Sequence, residues 1–476
     1  MTETPHLSQK FQQLQKAKET PKNAFPKIQR IAHYLRGRKH FAQHYSPRLV
    51  SIGPIHHGKP ELELGEKYKL MWAAKYLERT KQDGQTLYQK IASNIEQLKE
   101  RFAEDVIRDF PDDEKLSWML FVDGCSLLQI LEKGNLNDPH EMNVKVDQMV
   151  LVWQDVLLLE NQLPYKVLKD LSGHQNDATL VDIMNNFLKC HHLSPVRADQ
   201  RKENHDHKNE DRRNIFLTQN NEDGDESVYV NNEDTQQHEE HIIEVSKELP
   251  FHLLDQLRRY VLDDPQNESQ HQKGAKKKSE RNQNPNNEMT TYRNIGELRA
   301  AGIKLKVEKS RRLRDIHFSY RWKCLCAELT LPQITVDDTT TPSFHNLIAY
   351  EMCPDFENSF EICSFVAFMD SLIDHPEDVK ELRSAKVLHN ALGSDEEVAK
   401  LFNTISTDLV PNTESYSEVR WKIEKHYRKK HRAWIAQGYH TYFSNPWSII
   451  AFHAALFAIV LTVIQTWFAI NPRDPS

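Results

Sequence analysis

From Trp447 to Ile470 the chain reads WSIIAFHAALFAIVLTVIQTWFAI, without a single Asp, Glu, Lys or Arg. No other feature constrains the fold as strongly. At about 1.5 Å rise per residue this stretch makes a helix of about 36 Å, enough to cross a hydrocarbon core of about 30 Å with some tilt. Soluble core helices are seldom so long and so uniformly apolar. The chain as a whole is polar, with a mean hydropathy of −0.70 and 28% charged residues. The expected architecture is a large water-facing body held at a lipid bilayer by a single-pass C-terminal transmembrane helix, with a short tail at 471–476.

The flanks of this segment give it a direction. Tyr416 to Phe443 contains Arg420, Lys422, Lys425, Arg428, Lys429, Lys430 and Arg432 against Glu418 and Glu424, whereas the far side offers Arg473 beside Asp474. Lysine and arginine favour the cytoplasmic side, so the body is expected in the cytosol, at the plasma membrane or an endomembrane. Tyr439, Tyr442, Phe443, Trp447 and Trp467 stand where interfacial aromatics sit. The basic run suits anionic lipid, at about 1 kcal/mol per cation, although a solvated helix face would carry the same charges. His453 and Gln465, inside the span, suit helix–helix contacts or are simply tolerated.

The 476-residue chain has room for two or three domains or one large one with insertions. A net charge of −7 argues against non-specific nucleic-acid binding. The N-terminus has no apolar core of a secretory signal. Six scattered cysteines suit cytosolic thiols better than a disulfide framework. Residues 1–25 read as a mobile polar segment, 26–193 as the first part of a helical body, and 291–443 as its second part, ending in a basic juxtamembrane helix. Between them, 194–290 is rich in Asn, Asp, Glu, Gln and His and is expected to be a largely disordered insert. Within it, 242–262 reads as an amphipathic helix carrying Leu249, Leu253, Leu254, Leu257 and Val261 back to the body. The fold class is mainly α: a multi-helix globular body with a few short strands.

Local signals mark several element ends. Val146, Met149, Val150, Trp153, Val156 and Leu157 form one apolar stripe across a helix over 145–160. Pro164 suits the first turn of the next helix, and Thr341-Pro342 reads as an N-cap followed by proline at the first helical position. Leu329 to Asp338 reads as extended, interrupted by Pro332. Gly393 suits a helix C′ position, and Ser394 with Glu397 makes a capping box ahead of Val398, Leu401 and Phe402.

The most site-like loop is YSPRLVSIGPIHHGK, from Tyr45, where Ser51, Gly53, Pro54, His56, His57 and Gly58 make a candidate structural or interaction loop. No H-x-x-x-H partner stands at ligand spacing, so a turn held by histidine–backbone bonds is favoured over a metal site. Asp155 and Glu160-Asn161-Gln162 adjoin an apolar run. They read either as a carboxylate pair for acid–base chemistry or, more simply, as buried polar groups capping a helix junction. Cys324-x-Cys326 and Cys190-His191-His192 lack a second pair at zinc spacing. His205, His207, His238 and His241 read as solvated linker, and Lys276 to Lys278 as a weak nuclear-address run. No Gly-rich phosphate loop, G-x-S-x-G elbow, kinase set or H-E-x-x-H is present. The chain is thus expected to be no enzyme and to need no cofactor or metal. Asn267-Glu268-Ser269 is the one N-glycosylation sequon in the chain.

The motifs YSPRLVSIGPIHHGKPEL, LFVDGCSLLQIL, DVLLLENQLPYKVL, IGELRAAGIKLK, LTLPQITVDDTTTPSFHNLIAYEMC, FVAFMDSLIDHPEDVKELRSAKVLHNALGSDEEVAKLFN and NPWSIIAFHAALFAIVLTVIQT occur in that order. Together they closely resemble the plant "domain of unknown function 247" family, from about Ile28 to Thr466. Ile55 departs from the tyrosine usual before the two histidines, and Tyr165-Lys166 from the usual aromatic pair after LENQ-x-P. The resemblance implies a plant-specific, mostly helical protein with a C-terminal span and no established enzymatic activity. Some grass members are implicated as pollen-side determinants of self-incompatibility. The expected function is a membrane-anchored protein-interaction or cell-recognition component with an unidentified protein partner. The alternatives are an enzyme with a site near His56, His57, Asp155 and Glu160, or a structural membrane scaffold.

Overall fold

Helix Asp113–Lys133 organises the N-terminal half, because 15 of its 21 residues are buried. The computed structural model describes residues 10–12, 14, 26–37, 44–134, 139–173, 176–194, 249–262, 293–308, 310, 312–321, 326–356, 359–407, 409–412, 414–428 and 446–470. Around the central helix, here α3, pack α1 (Glu63–Thr80), α2 (Gly84–Ser93) and α5 (Tyr165–Ser172), with α4 (Val146–Asp155) and α6 (Asp177–Leu188) completing this half. The start of α3 is set by Asp112, whose side chain accepts from Glu114 N and Lys115 N at 3.0 and 3.3 Å.

Among the described residues, two small sheets and seven helices make the second half. Strands β1 (Ile303–Glu308), β2 (His317–Arg321) and β3 (Cys326–Pro332) form a sheet in the order β1-β3-β2, with β1 parallel and β2 antiparallel to β3. Strand β4 (Ile334–Val336) pairs in parallel with β5 (Leu388–Asn390). Helix α7 (Leu253–Leu262) packs against α6, and α8 (Ile295–Ala300) leads into β1. Helices α9 (Thr340–Glu351), α10 (Glu361–Leu372), α11 (Pro376–Ser384), α12 (Asp395–Ile405) and α13 (Ser417–Tyr427) follow. One hydrophobic core runs through both halves, from Ile28 to Ile423. The mainly α architecture with a few short strands is therefore as expected.

Several element ends differ from the expectation, each for a local reason. Helix α4 stops at Asp155, five residues short of Glu160, because Leu157 N and Leu158 N bond carbonyls three residues back and tighten the turn. Val146, placed on its apolar stripe, is 52% exposed. Pro164 is the N-cap of α5, one position before the first turn. Helix α9 begins at Thr340, not after Thr341, since Asp337 accepts from Thr339 N at 2.9 Å and organises the turn. Gly393 follows strand β5 and closes no helix, while Ser394 caps α12 by accepting from Glu397 N at 3.1 Å. Leu253, Leu254, Leu257 and Val261 are buried as expected, but α7 starts only at Leu253 and Leu249 is 42% exposed. The rest of the insert, 195–248 and 263–292, lies outside the described residues, as do 1–9 and 15–25.

Helix α14 (Pro446–Ile470) is 25 residues long and contains no charged side chain. Among the described residues it is the one helix long and apolar enough to cross a membrane; its window Ile450–Trp467 has a mean hydropathy of 1.8 and none of it is buried.

The loop at 44–58 and the carboxylates beneath it

The loop that carries His56 and His57 has little regular structure, so its backbone amides need acceptors from elsewhere. Buried side chains supply them. Asp155, at the end of α4, accepts from Arg48 N, Leu49 N and Val50 N at 3.0, 2.7 and 2.9 Å. Asn161 Oδ1 takes Ile52 N at 2.6 Å, and Asp123 Oδ2 takes Gly53 N at 2.8 Å. Two glycines let the loop sit this close. A Cβ on Gly53, where φ is +80°, would meet Gln162 O at 2.5 Å, and one on Gly65 would meet Leu49 O at 2.0 Å.

The same ENQ segment that touches the loop also finishes helix α4. Asn161 Nδ2 donates to Asp155 O and Val50 O, at 2.8 and 2.9 Å. Gln162 Nε2 donates to Val156 O and Leu158 O, both at 2.8 Å, while its Oε1 accepts Leu254 N at 3.0 Å. Carbonyls left without helical partners are thereby satisfied by side-chain amides. Asn346 bridges to the second half, accepting Leu159 N at 2.8 Å and donating to His44 O at 2.9 Å.

Glu160 faces a different set of partners. It accepts Ile31 N at 2.7 Å and pairs with Arg36. His56 Nε2 lies 3.1 Å from Glu160 Oε2, within ion-pair range though not aligned as a hydrogen bond. Lys59 Nζ, which can only donate, is 2.7 Å from His56 Nδ1, so the ring proton sits on Nε2 and faces Glu160. Burial alone would raise the Glu160 carboxyl, but His56, the Ile31 amide and Arg36 together hold it below its usual range. Burial pushes the Asp155 carboxyl up to about 6, against three amide bonds that pull it down.

A third buried carboxylate holds a buried cation. Lys69 is wholly buried, and its ammonium reaches Asp123 Oδ1 at 2.6 Å, Glu66 Oε1 at 2.9 Å and Ser51 Oγ at 3.1 Å. Three donors meet three acceptors, which is what makes the burial tolerable. Burial pushes the Asp123 carboxyl up while Lys69 pulls it down. Ser51 donates its own proton to Glu66 at 2.6 Å.

Of the expected loop residues, Ser51, Gly53, Pro54 and His56 are buried, and His57 and Gly58 are exposed. His57 stands 3.8 Å from Glu66 Oε2 and against the Phe110 ring, with 34% of its side chain accessible. The adjacent imidazoles therefore face opposite environments. Asp155 and Glu160 serve different loops and share no partner among the described residues. His191 bonds Ser343 Oγ at 3.1 Å and His192 meets Thr339 Oγ1 at 2.8 Å, so this pair wedges α6 against the start of α9. Burial lowers His192 to about 4 and His191 well below its usual value. No group of three or more His, Cys, Asp or Glu that could hold a metal ion occurs among the described residues. Cys324, His205, His207, His238, His241, Lys276 to Lys278 and Asn267 lie outside them.

Sequence reasoning passed over Lys69, Asp123, Arg36 and Asn346. Asp123 did carry a signal, being the lone charge in the apolar run LFVDGCSLLQIL.

The fold and the loop define a helical protein whose irregular N-terminal loop is pinned by buried carboxylates and whose C-terminus is a long exposed apolar helix. The family of plant proteins of unknown function termed DUF247 matches residues 28–461, and the chain belongs to it. UPF0481 protein At3g47200 of Arabidopsis thaliana is 26% identical over 443 residues, covering 90% of this chain and 83% of the relative. Putative UPF0481 protein At3g02645 of Arabidopsis thaliana is 23% identical over 474 residues, covering 88% and 86%. No solved structure matches.

Proposed function

We propose that this protein is a membrane-anchored interaction component, its body presented to protein partners in the cytosol. The observation that carries the proposal is α14: 25 residues, no charge, and an apolar surface that the body leaves uncovered. Exposing that much apolar area to water is strongly unfavourable, whereas a bilayer removes the cost. The basic stretch before α14 sets the body on the cytoplasmic side. Asp155 and Glu160 are both occupied by the architecture of the loops they hold, which favours an interaction role over acid–base chemistry there.

Alkaline carbonate extraction of membranes from cells expressing the full chain tests the anchor. The wild-type chain should stay in the pellet, and Leu456→Arg with Val460→Arg should move it to the supernatant, since each central arginine costs about 3 kcal/mol of insertion. A wild-type chain that washes off sinks the proposal. Asn267 tests the direction, because a glycan there would put the body outside the cytosol. Proximity labelling that enriches no partner over a matched anchor-only control would remove the interaction role.

A further inference from the structure

Helix α13 has one edge that is exposed among the described residues. Val419 and Ile423 are buried in the core, and His426 is buried with Nε2 3.0 Å from Ala301 O. Glu424 is held by Arg293 at 3.1 Å and by Arg428 at 2.8 Å. On the exposed side, at helical spacing, stand Trp421 and Lys425, followed by Arg428 at the C-cap. Trp421 is 42% exposed, and Lys425 Nζ lies 4.4 Å from the centre of its ring. The Arg428 side chain is 52% exposed despite its pairing with Glu424. One turn earlier, Glu418 is engaged by Lys422 at 2.7 Å.

The following chain indicates what covers this edge. From Lys425 to Arg473 there is no acidic residue, while Lys425, Arg428, Lys429, Lys430 and Arg432 precede the apolar helix. Only residues 428–445 separate α13 from α14. Eighteen residues span at most about 65 Å, so the edge is confined near whatever surface holds α14. Tethering makes contact with that surface an intramolecular event, favoured over capture of a free partner. An indole with an apolar body and a polar N–H, flanked by cations, suits the headgroup layer of an anionic leaflet.

We infer that Trp421, Lys425 and Arg428 form a lipid-contact edge that lays the body against the anionic headgroups beside the anchor. The inference rests on α14 being in the bilayer and adds to it that the body lies on the surface instead of hanging free. Lys425 and the exposed part of Arg428 meet lipid phosphate and carboxylate groups, and Trp421 enters the headgroup layer between them.

Hydrogen exchange of the full chain in nanodiscs tests this. Discs of phosphatidylcholine alone are compared with discs that also contain phosphatidylserine. Exchange across α13 should slow in the anionic discs only, and the difference should vanish at raised salt. Trp421→Gln with Lys425→Glu should abolish it, and the milder Lys425→Gln should weaken the contact about five-fold. Both changes are at exposed positions, and unchanged exchange of α3 serves as the folding control. Equal exchange of α13 in both discs, with the chain embedded, overturns the lipid edge and leaves the anchor standing. A chain that does not enter discs overturns both. Equal slowing by soluble polyglutamate in the neutral discs would assign the edge to an acidic protein partner and overturn the lipid reading.

Discussion

Asp155 and Glu160 sit at the same helix junction and are each only 1% exposed, yet their surroundings are opposite. Asp155 is lined by three backbone amides of the loop at 48–50. Glu160 is lined by Arg36, His56 and one amide. Amides are neutral dipoles, so they offset only part of the cost of burying a charge, and the Asp155 carboxyl rises to about 6. A guanidinium and an imidazole N–H do more, and Glu160 is lowered. Pinning a loop with a carboxylate can thus make the site either proton-hungry or proton-averse, depending on whether cations accompany the amides.

The largest effect should come from removing the amide-lined acceptor. Asp155→Ala leaves two buried amides and the part-buried Arg48 amide without their acceptor, at about 1–3 kcal/mol for each buried one, for a loss of roughly 3–5 kcal/mol after some relaxation. Urea unfolding of the detergent-solubilised full chain would read this as a lower midpoint. A loss under about 1 kcal/mol would mean that other acceptors replace the carboxylate, and the contrast with Glu160 would lose its basis.

The pH response sharpens the same contrast, because the two signs differ. A raised carboxyl contributes stability that is complete below its ordinary value and is lost as pH rises through its folded value. For Asp155 that window runs from 3.8 to about 6. A lowered carboxyl contributes stability present above its ordinary value, 4.5 for Glu160, and lost as pH falls through its folded value. The stability of wild type relative to Asp155→Asn should therefore fall as pH rises from 4 to 6, by at most about 1.4 kcal/mol per pH unit. A difference that rises over this window would show that the amides outweigh burial.

Glu160→Gln should cost less, about 1–2 kcal/mol. The amide side chain keeps an oxygen for Ile31 N, and Arg36, with 40% of its side chain accessible, can turn to water. Its clearest signature is loss of the acid limb just described. A cost above about 4 kcal/mol would mean that the Arg36 pair behaves as a buried one.

Much of the architecture was legible because its signals are local. The uncharged run of α14, the Ser394 cap and the break between β3 and β4, which falls at Gln333 just after Pro332, all depend on residues a few positions apart. What escaped depends on distant partners. Gly393 read as a helix end because β5 becomes a strand only by pairing with Ile334–Val336, more than 50 residues earlier. The buried Lys69 is tolerable only because Asp123, 54 positions away, is brought to it by the packing of α1 on α3. Asp155 and Glu160 were visible as buried polar groups at a junction, but not which loop each would hold.

The smallest effect separates the two histidines, and with them the wall of the loop from its surface. His56 is buried between Lys59 and Glu160, whereas His57 keeps 34% of its side chain accessible near Phe110 and Glu66. His57→Ala should change stability by no more than about 0.5 kcal/mol, because no buried group loses its partner. His56→Ala opens a void beside Glu160 and should cost several times more. If the loop presents a surface to a protein partner, His57→Ala is the change that weakens binding without unfolding the body, as read by pull-down against the partner found by proximity labelling. A His57 variant that destabilises as much as the His56 variant would show that the surface side of the loop is as tightly built as the buried carboxylate side.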